Sequence, residues 1–93
     1  MPDARPRPLV AGNWKMNGMQ PAIAEIEAMG RGYDAALKAK CDLLICPPAT
    51  ILFMAAAAAH PFGVAIGAQD CHAKASGAHT GDISAEMLRG AGA

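Results

Sequence analysis

Residues Leu9–Gly18, LVAGNWKMNG, decide how the rest of the chain is read. The run Leu9, Val10, Ala11, Gly12 is apolar on both faces, as expected of a parallel strand covered on both sides. Strand side chains alternate with period two, so Asn13 and Lys15 point one way and Trp14 the other. A lysine placed where the strand leaves the core sits at its C-terminal end. That is where α/β sheets carry their chemistry, and Asn17-Gly18 then turns the chain.

The segments that follow repeat this pattern. After the turn, Pro21 suits a first helical position, and Ile23, Ile26, Gly30, Tyr33 and Leu37 form one apolar helical face. Lys38 and Lys40 close that helix at its negative end. Strand two is read over Asp42–Cys46 and ends at Pro47-Pro48. An alanine-rich helix follows over Ile51–Ala59 and is expected to stop at His60-Pro61, because a residue before proline is pushed out of the helical region. Gly63 turns into strand three, Val64–Gln69, and a polar loop runs from Asp70 to Asp82. Ile83–Arg89 begins a third helix. The order β-α-β-α-β-α calls for a parallel sheet with right-handed crossovers. Residues 1–8, rich in proline and arginine, are expected to fray.

Composition narrows the function classes. Net charge is zero with no basic run, which gives no reason to expect nucleic acid or an anionic membrane as partner. The longest nearly uncharged run, 43–67, is broken by Pro47, Pro48 and Pro61 and is read as core, not as a membrane helix. Three sparse cysteines suit reduced thiols in the cytosol. A hydrophobic share of 53% against 17% charged residues is high for a small domain and suits a piece of a larger core.

GNWKMNG resembles the first strand and loop of the triosephosphate isomerase family. CPPAT from Cys46, and GAQDCH followed by SGAHTGDIS up to Ser84, match later stretches of that family in the same order. The resemblance implies an α/β fold made of the first three parallel βα units of a TIM (β/α)8 barrel. A whole barrel takes about 250 residues, so the 93 here are expected to be the N-terminal portion of that domain. It further implies interconversion of dihydroxyacetone phosphate and glyceraldehyde 3-phosphate without cofactor or metal, by a homodimeric cytoplasmic enzyme. The family's catalytic pair is a glutamate base and a neutral histidine electrophile, triosephosphate isomerase itself being the worked case of that division. The histidine stands in a Gly-His-Ser-Glu motif ending strand four and the glutamate ends strand six. His60, His72 and His79 stand in no such motif.

By resemblance, Asn13 and Lys15 bind substrate, and Lys15 is catalytic because it stabilises the enediolate. By position alone an exposed loop lysine would be the plainer reading. Gln69, a polar amide where an apolar strand stops, either supports Asn13 and Lys15 from behind or only bonds loop backbone. Met16 in the motif and Thr80 at the tip of the third loop are the positions the resemblance places at the dimer interface. Asp82 stands where the family often has glutamate, which weakens any carry-over of contacts made by the longer acid.

Two other patterns are read as incidental. Gly30–Ala35 matches G-x-G-x-x-A, but a helical pattern precedes it where a dinucleotide site needs a strand. Cys71-His72 with His79 fits no zinc spacing, so no metal is expected from it. Non-enzymatic alternatives are a truncated half-barrel or a small phosphate-binding α/β module. Strands one and three would each carry an unpaired edge, with Val10, Ala11, Val64 and Ile66 lacking charged gatekeepers.

Overall fold

In a computed structural model, which describes residues 5–93, three parallel strands form one sheet in the order β1-β2-β3. β1 is Leu9–Asn13, β2 is Asp42–Cys46 and β3 is Ala65–Ile66. Val10 pairs with Leu43 and Gly12 with Ile45, while Ile45 in turn pairs with Ile66. Of the stretch 1–8 read as frayed, residues 1–4 lie outside the described residues. Arg7 reaches Asp42 at 3.3 Å and the carbonyl of Ala39, and the Pro8 carbonyl accepts from Asp42 N–H.

The helices are α1 (Ile23–Gly32), α2 (Ala35–Lys38), α3 (Ala49–Ala59) and α4 (Ala85–Gly90). The core is Ile26 of α1, Tyr33 just beyond it, Ile45 of β2, Leu52, Ala55 and Ala59 of α3, then Val64, Ile66 and Leu88. Gly12 lies against Ile45 Cδ1, on the side of the sheet that the helices cover. Leu44 and Cys46 point the other way, against Gly67. β1 was expected to be covered on both sides, yet Leu9 and Val10 are 58% and 55% exposed, because β1 is an edge strand and no second layer packs on it among the described residues.

Several boundaries differ from the sequence reading, each for a local reason. The helix read from Pro21 to Lys38 begins as a 3-10 turn over Gln20–Ala22 and breaks after Gly32. Asp34 turns extended and caps α2 by accepting from Leu37 N–H at 3.0 Å, a role that competes with helix continuation. α3 ends at Ala59 as read, but His60 keeps right-handed helical dihedrals and Pro61 sits in a 3-10 turn, His60–Phe62, where its missing N–H is not needed. Gly63, at φ 72°, is the residue that stops this segment. β3 is two residues long instead of six. The ladder to β2 ends where Gly67 N–H donates to Ile45 carbonyl at 2.9 Å. The last helix starts at Ala85, because Ser84 caps it by accepting from Met87 N–H at 3.1 Å. Val64 and Ile66, read as open-edge residues, are buried, only 5% and 7% exposed.

Gly30 lies inside α1, and a Cβ there would fall 2.3 Å from Phe62 Cδ2. Its bare backbone lets α1 approach the segment that follows α3. That packing, with no strand leading into it, explains the glycine in the G-x-G-x-x-A match.

Candidate functional site

The C-terminal ends of the three strands meet around Lys15. β1 ends at Asn13, and Trp14 N–H extends its ladder to the Cys46 carbonyl at 3.1 Å. Trp14 then packs against the core, while Asn13 and Lys15 are exposed. Gly18, at φ 111°, is held beside the Trp14 ring. A Cβ there would lie 2.9 Å from Trp14 Cε3. A side chain at Gly18 would therefore push out the residue that anchors the loop.

Lys15 adopts φ 55°, the one positive φ at a non-glycine among the described residues. The left-handed region costs an L-residue roughly 1–2 kcal/mol. Three side chains hold the loop in this form through four hydrogen bonds. Asn13 Oδ1 accepts Lys15 N–H at 2.8 Å, an Asx-type turn. Asn17 Nδ2 donates to the Trp14 carbonyl at 3.0 Å. Gln69 Nε2 donates to the Lys15 carbonyl at 2.8 Å and to the Cys46 carbonyl at 3.0 Å. Backbone strain at an exposed polar residue, fixed from several elements, is the arrangement found where a side chain must be aimed.

The site residues read from sequence fall into two groups. Asn13, Lys15 and Gln69 come together. Met16 and Thr80 do not belong to that cluster. Both are exposed, Met16 at 95%, with Met19 beside it in the loop at 78%. Gln69 lies beyond β3, not at its end, and its amide does the linking that ladder bonds would have done.

Sequence spacing did not suggest one further grouping. His72, His79 and Asp82 bring their donor atoms within 4.8 Å of one another. Among the described residues, no helix is long and apolar enough to cross a membrane.

Comparison with known proteins matches this geometry to a family. The model of the triosephosphate isomerase family fits residues 8–93. The chain is 60% identical over 92 residues to a triosephosphate isomerase of Xanthobacter autotrophicus, covering 99% of this chain and 36% of that relative. It is 62% identical over 87 residues to one of Afipia carboxidovorans, covering 94% and 34%. A crystal structure of triosephosphate isomerase from Bartonella henselae superposes with a TM-score of 0.79 at 40% identity, over 94% of this chain and 35% of that one. The chain thus spans about a third of the length of the curated relatives it matches. With the family model covering all but the first seven residues, the chain belongs to the triosephosphate isomerase family.

Proposed function

We propose that this chain supplies the Asn13–Lys15 part of a triosephosphate isomerase active site, for interconversion of dihydroxyacetone phosphate and glyceraldehyde 3-phosphate in the cytoplasm. The observation that carries the reading is the left-handed Lys15, fixed by Asn13 on one side and Gln69 on the other. A lysine aimed in this way presents a fixed positive charge. In the proposed reaction it balances the substrate phosphate and the negative charge that develops on the substrate oxygen. Because its own backbone is already locked, little reorganisation accompanies the charge shift. Asn13 has its oxygen engaged by Lys15 N–H, so its NH2 is the group it offers an anionic substrate. Gln69 touches no substrate in this scheme and acts by positioning Lys15.

Met16 and Thr80 are proposed to lie at the subunit interface of a homodimer. Their support is family membership together with the exposure of both residues and of Met19. No cofactor takes part in the proposed reaction.

The experiment replaces the matching third of the Xanthobacter autotrophicus relative with this chain and measures isomerase turnover. An active chimera is expected, and no turnover from the 93 residues alone, since a general base within reach of the substrate proton is required and none stands in the family's motif here. A folded but inactive chimera would overturn the reading.

A further inference from the structure

We propose that the loop between β3 and α4 binds a divalent transition-metal ion through His72, His79 and Asp82. The three side chains place a donor atom each within 4.8 Å of one another. The main chain brings them together. His72 N–H donates to the Ile83 carbonyl at 2.8 Å, and His72 and Ser84 form an isolated parallel bridge. That bridge closes the loop at its base, next to the buried Ser84 that caps α4. Asp82 N–H donates to the His79 carbonyl at 3.0 Å, so a tight turn sets His79 and Asp82 side by side. Gly77 and Gly81, at φ 152° and 91°, shape the rest of the loop.

Two imidazoles and one carboxylate suit zinc, copper and nickel ions, and three protein ligands leave open positions for water. A cavity of about 190 Å³ borders all three residues, with room for such waters. The spacing H-x6-H-x2-D does not announce a site, because only the His72–Ser84 bridge makes its two ends neighbours.

The metal-free arrangement is distinct from the loaded one. The two imidazole rings stack with centroids 4.1 Å apart and planes 25° from parallel, and His72 Nδ1 accepts Lys74 N–H at 3.0 Å. A ligated ion lies in the plane of each ring, about 2.0–2.1 Å from nitrogen. The rings must therefore turn out of their stack on loading, and a bond from His72 Nδ1 would displace Lys74 N–H. Binding would exchange a stack and one hydrogen bond for three metal bonds and would fasten the loop that carries Thr80.

The test is equilibrium dialysis of the full-length chimera against zinc chloride at neutral pH, counted per chain. One zinc per chain is expected, weakened at least tenfold by His79→Ala or Asp82→Asn. His60→Ala, outside the loop, should leave it unchanged, and binding should be lost in denaturing urea. Electron paramagnetic resonance of the unaltered chain with copper(II) should show two coupled nitrogens, which keeps the proposal testable if a variant fails to fold. No zinc uptake at a hundred micromolar, uptake indifferent to His79→Ala and Asp82→Asn, or a thiolate-dominated cobalt(II) spectrum from Cys41, Cys46 and Cys71 would each overturn it.

Discussion

The side-chain amide of Gln69 donates to the main-chain carbonyl of Lys15 at 2.8 Å, across 54 positions of sequence. The same nitrogen reaches the Cys46 carbonyl at 3.0 Å, so one amide ties the end of β2 and the segment after β3 to the loop that leaves β1. These contacts act on the backbone of a residue whose φ is 55°. Gln69 therefore bears on the backbone from which the Lys15 side chain projects.

Gln69→Leu in the full-length chimera should lower kcat more than it raises KM, because it loosens the lysine without removing its charge. Stability should fall by about 1 kcal/mol, the usual net worth of a hydrogen bond. Steady-state kinetics with a urea melt check both. A fall in stability with unchanged kinetics would leave Gln69 a structural residue only.

Gly30→Ala tests the packing of α1 against the segment that follows α3. Alanine normally favours a helix by up to about 1 kcal/mol over glycine. Here its Cβ would fall 2.3 Å from Phe62 Cδ2, so overpacking, typically about 1–3 kcal/mol, should win and the net effect should be destabilising. Thermal melts of Gly30→Ala alone and with Phe62→Ala decide it. The second change should make the alanine at position 30 harmless.

The isolated chain should self-associate. β1 is an edge with Leu9 and Val10 exposed, and no lysine or proline interrupts it. Met16, Met19, Phe53 and Met87 add exposed apolar surface. Light scattering should show oligomers that grow with concentration, and amide exchange should be fast at low concentration. A sharp, concentration-independent melt of a monomer would contradict this.

Much of this architecture can be read directly from residues. β1 and β2 occupy the spans read for them, because each is an apolar run with a clear stop, Asn17-Gly18 for one and Pro47-Pro48 for the other. The break after Gly32 could not be read, since the apolar period runs through Tyr33 to Leu37 without interruption. Only the cap made by Asp34 reveals it. The α-helix stops at Ala59 as read, although His60 itself keeps right-handed helical dihedrals in the 3-10 turn that follows. At the site, Asn13 and Lys15 were legible from GNWKMNG. The left-handed backbone of Lys15 was not, because the Asn13 turn is completed by a bond from Gln69, far away in sequence. The meeting of His72, His79 and Asp82 was hidden for the same reason, as it depends on a bridge that closes the loop.

Lys15→Ala in the full-length chimera removes the charge at the proposed site, with kcat/KM as the measured quantity. The expected result is a folded protein whose kcat/KM falls at least a hundredfold, since losing one preorganised group at a developing oxyanion costs about a hundred- to a thousandfold. A folded variant with kcat/KM close to that of the parent would contradict it.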